Sequence, residues 1–231
     1  MNAAVILSGG TGKRIGGNIP KQYIKAGGRM IIEYCLDRFF PEAEDPVVSA
    51  LAIVADEKWR EDIGKCIGSR PEFIGFADPG DTRQLSILSG LRLLKGICAD
   101  DDSVMIHDAA RPLLKTSFIR DCFDAMTHVD GVMPVLPMKD TVYLSRDGKK
   151  VHELLNRSEI YAGQAPEVFR FGKYIRANEA LLPDKIKSVN GSTEPAILAG
   201  MDITMIPGDE GNFKITTKAD LERFCGIISG R

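Results

Sequence analysis

Paired cysteines are missing from this sequence: Cys35, Cys66, Cys98, Cys122 and Cys225 are scattered over 231 residues with no CxxC and no Cys/His ligand spacing. That excludes a disulfide framework and a structural zinc, and it suits a reducing cytoplasm. No apolar run reaches the ~18 residues a membrane span needs. The chain also enters an apolar segment at once, without a signal peptide's basic region and cleavage site, so a cytoplasmic protein is expected. Net charge is scarce as well. Thirty Lys and Arg against 32 Asp and Glu leave −2, so no global positive field can hold nucleic acid or an anionic membrane. Repeats, low-complexity tracts and linkers are absent, and no Ser, Cys or His is set up in a nucleophilic triad. What remains is a composition 44% hydrophobic, enough to bury a core as one domain over residues 1–231.

Apolar runs at residues 3–7, 47–55, 73–77, 103–107 and 132–136 read as strands. Between them, helical spacing is found at 30–40, 57–66, 83–95 and from Thr116 or Ser117 as caps to about 130. This alternation predicts a doubly wound α/β fold: a mostly parallel, Rossmann-like sheet with helices on both faces. After residue 140 the rhythm changes. Segments 141–145 and 150–155 flank Arg146-Asp147-Gly148-Lys149, a hairpin signal. An isolated hairpin is marginal in water, so this arm leans either on a second subunit or flat on its own domain. A helix over 169–182, a strand over 201–206 and a last helix after the Asn212-to-Thr217 segment complete the reading.

In such sheets ligands bind outside the carboxyl ends of the strands. The first strand empties there into a glycine-rich loop, Gly9, Gly10, Gly12, Gly16 and Gly17, carrying Lys13, Arg14 and Lys21. Neither a Walker loop nor the dinucleotide fingerprint is matched, because Arg14 follows Gly12-Lys13 and Ile15 stands where a third glycine would. The loop is therefore either a phosphate cradle or a tight turn with solvated lysines. Asp108, at another strand end, is a Mg²⁺ ligand or a helix cap paired with Arg111. His107 precedes it in the strand, should face the other way, and reads as structural; His128 and His152 read as surface residues.

Taken in order, GGTGKR(IGGNI)PKQY, Gly80-Asp81-x-Arg83-x-x-Ser86, HDAARP (107–112), KDT (139–141), Asn156-Arg157 and NFKITT (212–217) span nearly the whole chain. Together they resemble the cytidylyltransferases that include the 2-C-methyl-D-erythritol 4-phosphate and ribitol 5-phosphate enzymes. The resemblance implies a homodimer through a 139–166 arm, in which CMP passes from CTP to the phosphate of a polyol phosphate. It implies CTP along Leu7, Ser8, Gly9, Gly10, Thr11, Gly12 and Lys21, cytosine against Gly80, Asp81 and Ser86, and Asp108 and Ala109 beside the nucleotide. Asp108 would hold Mg²⁺. Arg14 and Lys21 would stabilise charge at the α-phosphate. The acceptor would meet Asp108, Arg111, Thr141, Lys214 and the partner subunit's Arg157. Three positions depart from the methylerythritol pattern: Ser8-Gly9-Gly10 for Ala-Ala-Gly, Gln164-Ala165-Pro166 for Gln-Thr-Pro, and Thr193-Glu194 for Thr-Asp. The acceptor is thus expected to be 2-C-methyl-D-erythritol 4-phosphate, with ribitol 5-phosphate or another polyol phosphate as the alternative. A catalytically silent nucleotide-binding module, or a nucleotidyltransferase sharing only the fold, are readings of other classes.

Overall fold

In the computed structural model, residues 1–10, 19–41 and 46–230 are described. Their elements run β1 (Asn2–Leu7), β2 (Lys25–Ala26), β3 (Arg29–Met30), α1 (Ile31–Leu36), β4 (Ala50–Val54), α2 (Glu57–Ile67), β5 (Phe73–Ala77), α3 (Arg83–Leu94), β6 (Ser103–Asp108) and α4 (Thr116–Asp124). The second half runs β7 (Gly131–Pro137), β8 (Val142–Leu144), β9 (Glu153–Leu155), β10 (Tyr161–Gly163), β11 (Glu167–Arg170), α5 (Phe171–Glu179), α6 (Glu194–Leu198), β12 (Ile203–Pro207) and α7 (Lys218–Ile228).

The main sheet has the order β10-β7-β11-β6-β1-β4-β5, with β12 on the far side of β7. β1 pairs in parallel with β4 and β6, β4 with β5, and β12 with β7; β10 and β11 are antiparallel to their neighbours. The central strands bury both faces, which is why their middles are apolar on both. Alternation then sends Ala4 and Ile6 into one core with Phe39, Ile63 and Phe118, and Ala3 and Val5 into another with Ile87, Leu91 and Tyr174. Helices α1, α2 and α4 cover the first face, α3 and α5 the second, so the sheet is doubly wound as expected. A third, smaller cluster packs α7 through Phe224 onto Ala26, Ile31 and Ile215.

Helix α3 sits unusually close to the sheet. A Cβ at Gly90 would lie 2.4 Å from Val5 Cγ1 and 3.1 Å from Val54 Cγ2, so only glycine permits this approach. The closeness matters because α3 forms one wall of the cleft described below.

Several expectations need correction. Residues 169–170, expected to begin a helix, belong to strand β11, and α5 begins only at Phe171 and ends at Glu179. β11 wedges between β6 and β7, pairing with Ser103 to Ile106 on the first and with Gly131 and Val132 on the second, and so supplies partners to edges that would otherwise lack them. Strand β10 had no counterpart in the sequence reading. α4 ends at Asp124, and neither Thr116 nor Ser117 caps it: Lys115 precedes the helix, and the Thr116 hydroxyl donates to the Arg38 carbonyl at 2.9 Å. α1 is a short helix of six residues.

The expected hairpin is present as β8–β9, paired antiparallel from Val142↔Leu155 to Leu144↔Glu153. Asp147 closes its turn by accepting from the Lys149 and Lys150 N–H groups, both at 2.9 Å. Tyr143, Val151 and Leu154 are 55%, 69% and 62% exposed. The arm does not lie flat with its apolar side chains buried on its own domain.

Candidate active site

β1 and β6 end side by side, with Leu7 opposite Asp108 in the parallel register. Beyond their carboxyl ends a cleft of about 460 Å³ opens between the start of the glycine loop, the loop after β5, and the segment before α7. Two glycines make this closeness possible. A Cβ on Gly9 would meet Pro79 Cβ at 2.4 Å, and one on Gly80 would meet Leu85 Cβ at 2.4 Å and the Leu85 carbonyl carbon at 2.9 Å. A Cβ on Gly10, by contrast, would meet nothing within 4 Å among the described residues.

The residues after the loop explain why its start is rigid. In the 3₁₀ turn Lys21–Tyr23, Gln22 and Tyr23 are buried while Lys21 lines the cleft. Gln22 Nε2 donates to the carbonyls of Ser8 (2.6 Å) and Gly10 (2.8 Å), and the Tyr23 hydroxyl donates to the Ser8 carbonyl (2.8 Å). Tyr23 in turn stacks on Trp59 with ring centroids 4.2 Å apart. The loop's carbonyls are therefore held inward.

On the opposite wall, Thr82 caps α3 by accepting from the Leu85 N–H at 3.2 Å. Ser86 Oγ accepts from the Gly80 N–H and donates to the Thr82 carbonyl, both at 3.0 Å, which fixes the Gly80-to-Ser86 loop in one conformation.

At the floor, Asp108 meets three cations: Lys214 Nζ at 2.9 Å, Arg83 Nη2 at 3.4 Å and Arg111 Nε at 3.6 Å. Burial alone would raise its pKa, but Arg83, Lys214 and Arg111 outweigh burial and hold the carboxyl well below the usual range. It is a carboxylate at any working pH. Lys214 is delivered by the Asn212-to-Thr217 segment, which is pinned over β6: the Ile215 N–H donates to the Ala110 carbonyl (2.9 Å) and Asn212 Nδ2 to the Ala165 carbonyl (2.8 Å).

Of the residues singled out from sequence, Leu7, Gly9, Gly10, Lys21, Gly80, Asp81, Ser86, Asp108 and Lys214 come together around the cleft. Thr11, Gly12 and Arg14 lie outside the described residues. Ser8 faces a smaller adjoining hollow, and Ala109 is buried, its N–H donating to the Leu7 carbonyl at 3.1 Å. Arg111 is not on the cleft lining; its Nη1 donates to the Asn212 carbonyl at 2.7 Å. Thr141 and Arg157 are exposed on the arm and do not line the cleft of their own chain; Arg157 Nη1 donates to the Lys139 carbonyl at 2.7 Å. Two residues that bear on the site were passed over in the sequence: Arg83, inside the quoted Gly80-to-Ser86 motif, and Gln22, inside PKQY. The signal was there, since both sit in the motifs themselves.

His107 is buried with neither ring nitrogen hydrogen-bonded, and burial pushes its pKa down to about 3. It is a neutral core residue, stacked obliquely near Phe39. The departures from the family pattern differ in placement: Gly9 and Gly10 line the cleft, and Glu194 is half-buried, its Oε2 accepting from the Asn190 N–H at 2.7 Å, whereas the others face inward. The Ser8 hydroxyl donates to the Tyr23 hydroxyl (2.8 Å), Ala165 is buried, and the Thr193 hydroxyl donates to Glu167 Oε1 (3.1 Å). Among the described residues, no group of three or more His, Cys, Asp or Glu could hold a metal, and no helix is long and apolar enough to cross a membrane.

Known proteins resemble this chain over nearly its whole length. The chain is 33% identical over 234 residues to the 2-C-methyl-D-erythritol 4-phosphate cytidylyltransferase of Rubrobacter xylanophilus, covering 99% of this chain and 95% of that protein. It is 32% identical over 229 residues to the bifunctional enzyme IspD/IspF of Paramagnetospirillum magneticum, covering 98% of this chain and 56% of the relative. The chain thus spans about half the length of the bifunctional relatives it matches. In fold it is similar to the 4-diphosphocytidyl-2C-methyl-D-erythritol synthase of Anaerococcus prevotii, with a TM-score of 0.82 at 22% identity over 100% of this chain and 96% of the other. The model of the family described as IspD, 2-C-methyl-D-erythritol 4-phosphate cytidylyltransferase, matches residues 2–229, and the chain belongs to that family.

Proposed function

We propose that this protein transfers CMP from CTP to the phosphate of 2-C-methyl-D-erythritol 4-phosphate, releasing pyrophosphate. The observation that carries the reading is the cleft itself: a glycine-lined backbone, Lys21, and a carboxylate ringed by cations, all at the ends of β1 and β6. An oxygen of the acceptor phosphate attacks the α-phosphorus of CTP; the new P–O bond forms as the bond to the bridging oxygen breaks and pyrophosphate leaves. The nucleophile is already ionised near pH 7, so no general base is required, which suits a site without one. The protein's part is to align the two anions and to neutralise them. Lys21 and Lys214 supply mobile charge on two sides, and the fixed Gly80-to-Ser86 loop offers hydrogen-bonding groups to the base. Arg14, in the glycine-rich stretch of sequence after β1, is assigned a share of the α-phosphate charge.

Asp108 fits a Mg²⁺ that takes most of its ligands from phosphate and water, because it is one hard, fully ionised oxygen donor and not part of a carboxylate cluster. Bound there, the ion would add charge neutralisation at the phosphates. We read the chain as one nucleotidyltransferase domain with residues 139–166 as a dimerisation arm. The exposed Tyr143, Val151 and Leu154 support a second subunit as the surface that covers it, bringing Thr141 and the partner's Arg157 toward the acceptor. A CTP-using enzyme with five unpaired cysteines also fits a reducing cytoplasm.

The printed names of the relatives favour methylerythritol phosphate over ribitol 5-phosphate, and the buried Ala165 and the Ser8 hydroxyl turned to Tyr23 do not line the cleft. Pyrophosphate release measured with CTP, GTP, UTP and dTTP against both acceptors tests this. The expected result is turnover with CTP and methylerythritol 4-phosphate alone; preference for ribitol 5-phosphate or another nucleotide overturns it, and CTP binding without turnover makes the protein a silent binding module.

A further inference from the structure

Two arginines stand beside Asp108, and the structure gives them different surroundings. Arg111 is 13% exposed at its side chain, engages the Asn212 carbonyl through Nη1, and lies behind the cleft lining. Arg83 is 35% exposed at its side chain and lines the cleft. Among the described residues its one hydrogen bond is the long contact to Asp108 Oδ1 at 3.4 Å. A guanidinium carries five N–H donors in a planar fork, so most of this group's binding capacity is open to the cleft.

The backbone that carries Arg83 is held on both sides. Thr82 before it is the cap of α3 and accepts from Ser86 Oγ. Gln84 after it is buried, its Nε2 donating to Asn178 Oδ1 and to the Tyr174 hydroxyl (3.3 Å), while Tyr174 donates to the Ser192 carbonyl (2.7 Å). Behind this network Glu167 accepts from the hydroxyls of Ser192 and Thr193. A fork on so constrained a turn is pre-organised, which lowers the ordering cost of binding an anion.

From these contacts we infer that Arg83 binds a phosphate oxygen of the substrates, and that Arg111 is a brace holding the Asn212-to-Thr217 segment so that Lys214 reaches the cleft. The inference rests on the proposed cytidylyl transfer and refines it: the guanidinium that meets a substrate is on α3, not in the HDAARP segment. The phosphate is either the acceptor's monoester or part of the CTP triphosphate, since both bring the same oxygens to this wall.

The test uses the full chain and the variants Arg83→Gln, Arg83→Lys and Arg111→Gln. CTP and inorganic pyrophosphate binding are measured by calorimetry without acceptor, pyrophosphate release with acceptor gives KM and kcat, and thermal melting monitors the fold. Arg83→Gln should weaken CTP binding or raise the acceptor KM by about tenfold or more, with the melting midpoint within about 2 °C of wild type. Whichever parameter moves identifies the phosphate. Arg83→Lys should recover part of the loss, keeping the charge without the fork. Arg111→Gln should lower the melting midpoint by several degrees, roughly the cost of one buried charge-assisted hydrogen bond. The assignment is overturned if Arg83→Gln binds and turns over within about twofold of wild type, or if it melts as early as Arg111→Gln. Should the wild type release no pyrophosphate with any acceptor, the proposed reaction fails, and the CTP and pyrophosphate binding of Arg83→Gln still decides the role of Arg83.

Discussion

Replacing Asp108 with Asn removes one negative charge from among three positive ones and leaves the side-chain volume nearly unchanged. With Lys214 and Arg111 at 2.9 and 3.6 Å, each attraction amounts to about 5 kcal/mol at an effective dielectric of ~20, while Arg83 at 3.4 Å, 35% exposed to the water of the cleft, contributes far less. Burying the carboxylate already costs several kcal/mol of that, and the cleft admits water, so the net loss falls near the low end for a broken buried pair, about 3 kcal/mol. At ~2–4 °C per kcal/mol for a chain of this size, the unliganded variant should melt ~6–12 °C lower. Ligand binding should move the other way. A phosphate bound ~6 Å from the lost charge is relieved of ~3 kcal/mol of repulsion before screening. If half survives solvent and salt, inorganic pyrophosphate in the presence of a chelator binds about tenfold tighter. Turnover with divalent metal and CTP should meanwhile collapse. Calorimetric melting with and without pyrophosphate reads both effects. A variant that melts within about 2 °C of wild type, or that binds metal-free pyrophosphate no better, refutes the view of Asp108 as the counter-ion of a phosphate-binding cation cluster.

Gly90→Ala should destabilise, because overpacking against Val5 and Val54 costs ~1–3 kcal/mol and outweighs the ~1 kcal/mol gain in helix propensity; a rise in melting temperature would show that α3 can lift off the sheet at little cost. His107 titrates near 3 when folded against ~6.5 when unfolded. Between those values the unfolded chain binds more protons, so the stability contributed by neutral His107 is complete above pH 6.5 and declines as pH falls, by up to ~1.4 kcal/mol per unit. Urea unfolding at pH 7.5 and 5.5 should therefore show a shallower pH dependence in His107→Leu than in wild type, and equal slopes would mean that the ring protonates freely in the fold. Leu154→Asp on the arm should shift sedimentation at micromolar concentration from dimer toward monomer while the domain melts unchanged. An unaltered mass would move the subunit contact elsewhere.

The parallel centre of the sheet was legible because β1, β4 and β6 are buried on both faces and each carries a continuous apolar run, Ala3 to Leu7, Ala50 to Val54 and Val104 to Ile106. β11 was not, since Glu167 to Arg170 is too short to show a period. Its strand conformation is imposed by the gap between β6 and β7, a tertiary effect that no local pattern encodes. At the site, the glycines and Lys21, Asp108 and Lys214 were readable as chemistry, whereas the division between Arg83 and Arg111 depends on which way each side chain turns. The same holds for Ser8 and Ala165: as letters they left the acceptor open, and as packed side chains they face Tyr23 and the protein interior.

The wedge formed by β11 also bears on how the chain is made. β6 and β7 are consecutive parallel strands that never touch, and the strand between them is synthesised only after the whole arm. While a nascent chain stops short of residue 170, the edge of β6 that ends in Asp108 has no neighbour on that side. Such an edge is open to wrong pairing, and long-range closure of this kind is slow. The arm must therefore leave the ribosome before the sheet can close, so a chain stalled within residues 138–166 would present a half-built cleft and an unpaired strand together, a natural point of capture for a chaperone.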